Sequence, residues 1–309
     1  MSASNPAPLP VKLNELLSPA ELALLNQRSD AQGWRQLLSH LGVLVGSGLL
    51  WAWGWHQGMV WAWLALPVYG FSLASMFATV HECVHRTAFA TQRLNDAVAW
   101  LAGVLSFYNS AFYRRYHKWH HRYTQIPGQD PELEDPVPTT WGAYLWQMSG
   151  LPWWLGKLRG HFRVLRGDFH GCPYIAPDAQ APVRRSTAAQ FAVYGVGLAL
   201  SLWAGQPWFF TYWLLPLAVG QPFLRLILIA EHTGCSQNNH PLTNTRTTLT
   251  VWPVRLLMWN MPFHAEHHLC PAIPFHALPQ AHLRVRNRLA HVAQGYIAAN
   301  REITAQFLK

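Results

Sequence analysis

The sequence predicts an all-α integral membrane protein, with four transmembrane helices paired in two hairpins beneath a cytoplasmic helical cap. Three observations predict it. Only 12% of the 309 residues are charged, about half the share usual in soluble domains. Half are hydrophobic and 17 are Trp, a residue enriched where bilayer meets water. Two long stretches lack Asp, Glu, Lys and Arg altogether: Gln36–Val80 with 45 residues and Ser186–Leu224 with 39. One helical crossing of the hydrocarbon core takes about 20 residues, so each stretch holds two crossings but not three. Mean hydropathy is nonetheless close to zero, so a substantial polar part sits in water. These proportions exclude intrinsic disorder, collagen and small disulfide scaffolds.

In chain order, Met1–Pro10 is polar and Pro-rich, which predicts no signal peptide. Ser18-Pro19-Ala20-Glu21 is a capping box with Pro at the first helical position, opening a short amphipathic helix. His56-Gln57-Gly58 interrupts the first uncharged stretch and Gly205-Gln206-Pro207 the second, giving spans at roughly 38–55, 59–80, 188–204 and 208–230. Between the hairpins, Ala97–Tyr113 reads as a re-entrant or interfacial helix with Asn95-Asp96 as its N-cap. Trp141–Gly156, containing Pro152, reads as a helix lying at the interface. The chain is then a single domain, 1–309, whose cap comprises residues 81–187 and 231–309.

With four spans, both termini and the cap share one side, which carries 22 of the 23 basic residues, while the hairpin turns carry none. That asymmetry predicts a multi-pass protein of the inner or cytoplasmic membrane with its cap in the cytoplasm. The net charge of +9 belongs to this positive-inside set beside lipid phosphates, so no nucleic-acid partner is expected.

The 17 His decide the function. His81-Glu82-Cys83-Val84-His85 follows the second span directly, His117-Lys118-Trp119-His120-His121 lies between the hairpins, and His264-Ala265-Glu266-His267-His268 follows the fourth span. Residues at i, i+3 and i+4 share a helix face, so each cluster can aim two or three imidazoles at one point. All three clusters fall on the side that charge assigns to the cytoplasm. With His232 they make nine imidazoles. A zinc site takes about four protein ligands, so nine suit two metals; imidazole alone does not name the metal.

The order HxxxH, HxxHH, HxxHH, with two hairpins, resembles the membrane-bound fatty acid desaturase and hydroxylase superfamily over roughly residues 40–285. The resemblance implies a di-iron centre, O2 as co-substrate, and oxidation of an unactivated C–H bond in a fatty acyl or lipid chain. Carried over by position, it implies metal ligation by His81, His85, His117, His120, His121, His264, His267 and His268. His232 matches the additional histidine that members place before the third box. Asn260 loosely matches an Asn that holds a metal-bound water in some members; its other reading is a helix cap.

Glu82, Glu231 and Glu266 adjoin the ligands, and a carboxylate accepting the second ring N–H would fix an imidazole's orientation. The alternative is that they are solvated or paired with Arg86, Arg114 or Arg122. Arg114, Arg115, Lys118, Arg122, Arg184 and Arg185 could meet an anionic head group or simply lie near lipid phosphates. An acyl chain needs an apolar channel. Trp100, Leu101, Val104, Phe107 and Tyr108 are candidates for its lining, with Trp252, Leu256 and Trp259 spaced i, i+4, i+7; the alternative is that they anchor interfacial helices. Four scattered cysteines form no iron–sulfur pattern, and neither a GxGxxG fingerprint nor an HPGG haem signature is present. The expected electron donor is therefore external, a ferredoxin or small haem protein with its reductase.

Among outcomes of such a site, the reading taken is desaturation, ahead of hydroxylation and of terminal-alkene or alkyne formation. A rival of another class is an intramembrane zinc protease, since His81–His85 also satisfies HExxH. It leaves six clustered histidines without a role, and neither uncharged stretch offers the acidic ligand it needs. A metal-transporting role is disfavoured because ligands at the ends of spans make no path across the bilayer.

Overall fold

A computed structural model describes residues 13–308; the polar Met1–Pro10 segment lies outside them. Among the described residues the regular structure is helical apart from one two-stranded parallel pairing. It opens with α1 (Pro19–Leu25), begun by the expected capping box: Ser18 Oγ accepts from Glu21 N at 3.2 Å, and Glu21 Oε2 accepts from Ser18 N at 2.9 Å. Next come α2 (Asp30–His56), α3 (Ala62–Ala74) and α4 (Met76–Val84). The first hairpin turns at Gly58, whose φ of +62° suits a residue without Cβ.

Among the described residues, three helical stretches are long and apolar enough to cross a membrane: Asp30–His56, Ala62–Val84 and Phe210–His232. The third joins a π-helical segment, Phe210–Leu214, to α10 (Leu215–His232). The span expected over 188–204 lies on α9 (Pro177–Trp203) with Ala204 as its C-cap; the chain turns at Gly205 (φ +60°) as expected, but α9 is not among those three. The spans are tied by close backbone approach, where a Cβ on Gly220 would stand 1.9 Å from Gly70 O.

Between the hairpins run α5 (Gln92–Ser106), α6 (Ser110–Tyr123), α7 (Trp141–Met148) and α8 (Leu151–Leu165). The helix expected over 97–113 starts earlier and is split. Asn95 is not its N-cap but lies inside α5, fully buried, accepting from Phe89 N and donating to Phe89 O. Thr91 takes the N-cap position, held by Asp30 through its backbone N–H and its hydroxyl. The 141–156 segment also divides, at Gly150 in a left-handed conformation of φ +75°. Beyond α10 follow β1 (Thr247–Leu249), α11 (Trp252–Leu257), α12 (His264–Leu269), α13 (Leu278–Val285), β2 (Val292–Gln294) and α14 (Tyr296–Thr304). β1 pairs with β2 in parallel, Thr247 opposite Val292.

Candidate metal centre

Each histidine cluster sits on a helix whose ends are fixed locally. In α4 every residue is buried, so His81 projects inward and His85 follows as the C-cap. Asn109 caps α6 by accepting from Phe112 N at 2.9 Å, and its helical run carries His117, His120 and His121. The short α12 carries His264, His267 and His268, all buried. His232 ends α10.

All nine histidines meet. His81, His85, His117, His121 and His267 form one group whose nearest ligand atoms lie within 4.8 Å of one another, and His120, His232 and His268 form a second. His264 joins the second group, its Nε2 3.3 Å from His232 Nε2. The groups adjoin through the stacked rings of His121 and His268, 4.2 Å between centroids. In the first group His117 and His267 each bring Nε2 to about 3 Å from that of His121, at 3.0 and 3.1 Å.

The outward nitrogens show which way the rings are set. His232 Nδ1 donates to the Asn244 carbonyl at 3.1 Å, and His120 Nδ1 faces the Asp130 carboxylate at 2.9 Å. His117 Nδ1 lies 3.3 Å from the Tyr113 hydroxyl and His268 Nδ1 3.2 Å from that of Thr124. A proton on Nδ1 leaves Nε2 with a free lone pair, aimed into the cluster. Buried Nε2 atoms of His81, His85 and His268 have no hydrogen-bond partner. Burial holds His85 down to about 3, helped by the charge of His120. Burial first, then neighbouring rings, holds His117, His121, His264, His267 and His268 well below the usual histidine range. His120 is the exception: burial would lower it, but Glu132 and Asp130 outweigh that and raise it. Neutral imidazoles with converging lone pairs are the donor set of a first-row transition metal, so these residues fit a pair of such ions.

The carboxylates next to the boxes behave differently from the expectation. Consecutive helix residues point about 100° apart, so Glu82 and Glu266 turn from the metal groups. Glu82 accepts from Phe275 N. Glu266 accepts from the Thr247 hydroxyl and faces His282 Nδ1, each at 2.5 Å, and so locks α12 to β1 and α13. Glu231 does approach the centre, Oε2 3.5 Å from His264 Nε2. Sequence reasoning missed Asp130 and Glu132, the latter 3.6 Å from His120 Nε2. Their signal was the acidic run Asp130-Pro131-Glu132-Leu133-Glu134-Asp135 in a basic chain.

The expected channel lining divides too. Phe107 is buried and Val104 partly so, but Leu101 is 58% exposed. Trp252, Leu256 and Trp259 do not share a face. The α11 helix stops at Leu257, and Trp259 and Asn260 take positive φ of +48° and +55°. Trp252 is therefore 68% exposed while Trp259 is 1% exposed, donating to His40 Nδ1; Leu256 offers its carbonyl to Gln36. Asn260 commits both ends of its amide, accepting from Arg255 Nε and donating to Phe275 O, each at 3.0 Å, so it fastens the turn before α12. The rings that reach the centre are Phe77, 6.3 Å from His81, and Tyr113, stacked 5.0 Å from His117. A cleft of about 580 Å³ opens onto His85, His117 and His121 and is bordered by Arg86, Arg114, Arg115 and Lys118.

The family description "Fatty acid desaturase" matches residues 54–300. The chain is 25% identical to the sn-1 oleoyl-lipid 12-desaturase of Anabaena variabilis, over 84% of this chain and 78% of the relative. It is 22% identical to the chloroplastic omega-6 fatty acid desaturase of Glycine max, over 88% of this chain and 66% of the relative. It is 26% identical to the sphingolipid delta(4)-desaturase/C4-monooxygenase of Homo sapiens, over 72% of this chain and 66% of the relative.

Proposed function

From the premise that the chain belongs to the fatty acid desaturase family, and is an oxidoreductase, we propose that it removes two hydrogens from neighbouring carbons of a lipid acyl chain to leave a double bond. The observation that carries this reading is the convergence of nine imidazoles into two adjoining groups. His81, His85, His117, His121 and His267 would hold one iron, and His120, His232, His264 and His268 the other. Bound there and reduced, the pair would supply the oxidising power, drawn from O2, that an unactivated C–H bond requires. Asp130, Asn244 and Thr124 keep the lone pairs of their histidines turned inward. Phe77 and Tyr113 form an apolar wall at His81 and His117, which keeps water from the reacting carbons and gives the chain a surface to lie on. The basic border of the cleft over His85, His117 and His121 suits an acidic carrier, a ferredoxin or small haem protein served by its own reductase.

The four-span arrangement with a cytoplasmic cap belongs to the same reading. Along α9, Val193, Val196, Leu200 and Trp203 are exposed, as a lipid-facing crossing requires. Trp141, Leu145, Trp146, Leu151 and Leu155 give α7 and α8 an outward apolar side suited to the interface.

The test is expression of the full chain in a host of known lipid composition, with mass spectrometry of its acyl chains. A new double bond is expected, and its loss in His120→Ala and His267→Ala. The purified protein should carry about two irons per chain; an active preparation with one metal would contradict the reading. Hydroxylation is the second reading, favoured by the relative whose name joins desaturase to monooxygenase; a hydroxylated product would establish it.

A further inference from the structure

Away from the histidines, where α8 meets α10, hydrogen-bond donors outnumber acceptors. Tyr108 is the hub: its hydroxyl oxygen accepts from Trp153 Nε1 at 3.0 Å and from Arg225 Nη2 at 3.2 Å. Its own O–H has no acceptor among the described residues. Lys157 Nζ stands 3.7 Å above the Tyr108 ring, and Arg225 lies 5.6 Å over that of Trp153. Neither cation is ion-paired with a carboxylate among the described residues, and Arg225 Nε is buried without a partner. One turn earlier on the same face of α10, Gln221 is fully buried with both ends of its amide unpaired. It packs where Gly150 admits α8 closely, since a Cβ there would stand 2.8 Å from Gln221 Cβ.

Buried donors left unsatisfied are costly, and two neighbouring, half-buried cations repel. Burial, with Arg225 beside it, pulls Lys157 down to about 7. An oxyanion would accept from Arg225 Nε, the Tyr108 hydroxyl and the Gln221 amide nitrogen, and would offset both cations. The position fits a lipid. His232 lies seven positions beyond Arg225 on α10, about 10 Å along the axis. One ring, Phe77, bridges Tyr108 and His81, with centroids 4.4 and 6.3 Å from them respectively.

We propose that Lys157, Arg225, Tyr108 and Gln221 form a receptor for the anionic head of the acyl substrate, phosphate or carboxylate, from which the chain runs past Phe77 to the histidines. The proposal rests on the desaturase reading for its substrate class. The receptor end sits against α8, at the depth of the interface, and the reactive end against the metal groups. The distance between them then counts carbons from the head of the chain.

The test is equilibrium binding of radiolabelled lipids to the metal-free full chain in neutral detergent, so iron loading does not enter. The probes are dioleoyl phosphatidylglycerol, oleate, and an uncharged dioleoyl galactolipid. At least one anionic probe should bind about tenfold more tightly than the galactolipid, the scale of a charge-assisted hydrogen bond. Preference for the phospholipid names the phosphate as ligand, and preference for oleate the carboxylate. Lys157→Gln should erase the preference. Tyr108→Phe, which keeps the ring and loses only a hydroxyl, should weaken it. Arg159→Gln, exposed on the same helix, should change nothing. Equal binding of charged and uncharged lipids, or an equal loss for all three in Lys157→Gln, would overturn the receptor. Discriminating binding without any oxidised product would instead leave the receptor standing and remove the desaturase reading.

Discussion

Asp130 illustrates how a single side chain sets the state of an imidazole. Its Oδ1 faces His120 Nδ1 at 2.9 Å, while its other oxygen accepts from Gln125 N at 2.7 Å and so keeps the carboxylate from rotating. The ring is thereby fixed with Nε2 toward the second group. Asp130→Asn preserves the shape but removes the charge and allows the amide to present a donor to the ring. Metal affinity of the second group should fall about 10–100-fold, so iron per chain, measured by elemental analysis after dialysis, should drop from two toward one. Retention of two irons at wild-type affinity would show that Asp130 does not orient a ligand. At this scale the boxes were legible because i, i+3, i+4 spacing is a property of the helix alone. Asp130 was not, because a loop of irregular backbone returns it to His120 from ten positions away. Glu82 and Glu266 misled because adjacency in sequence is divergence on a helix.

Among elements, the close crossing of α3 and α10 holds the helix that leads into α4, the bearer of His81, against the one that carries His232. Backbone meets backbone at Gly70 and Gly220, the type of contact small residues permit between membrane helices. Gly220→Ala should force the pair apart, lowering stability by roughly 1–3 kcal/mol, seen as a lower midpoint of thermal aggregation in detergent. Gly42→Ala, where nothing lies within 4 Å, is the control and should leave the midpoint unchanged. Equal midpoints for both variants would show the crossing to be loose. The breaks at Gly58 and Gly205 could be read from sequence, since turn residues there interrupt uncharged runs. The true start of α5 could not, because it depends on Asp30, some sixty residues earlier in the chain. Nor could the end of α11, because the left-handed pair Trp259 and Asn260 is stabilised by contacts with His40, Arg255 and Phe275.

For the molecule as a whole, the proposed topology sorts positions into two populations. With the four native cysteines replaced, single cysteines at Gln57 and Gln206 should react with a membrane-impermeant reagent added outside intact cells. Cysteines at Glu134 and Arg301 should react only after permeabilisation. Opposite labelling of Gln57 and Gln206 would mean that α9 does not cross.

The pairing of β1 with β2 has a consequence for how the protein is made. Thr247, in β1, holds the Glu266 that anchors the third box, and β1 is completed by Val292–Gln294. Just beyond, Asn300 accepts from the Tyr144 hydroxyl and donates to the Leu226 carbonyl, joining α14 to α7 and α10. Translation delivers residues from the N-terminus onward, so every histidine has left the ribosome's catalytic centre before the strand that steadies the last box exists. The nascent chain would thus carry its donor atoms to the membrane unassembled, and the iron loading that the proposed function requires would be an event of the finished polypeptide.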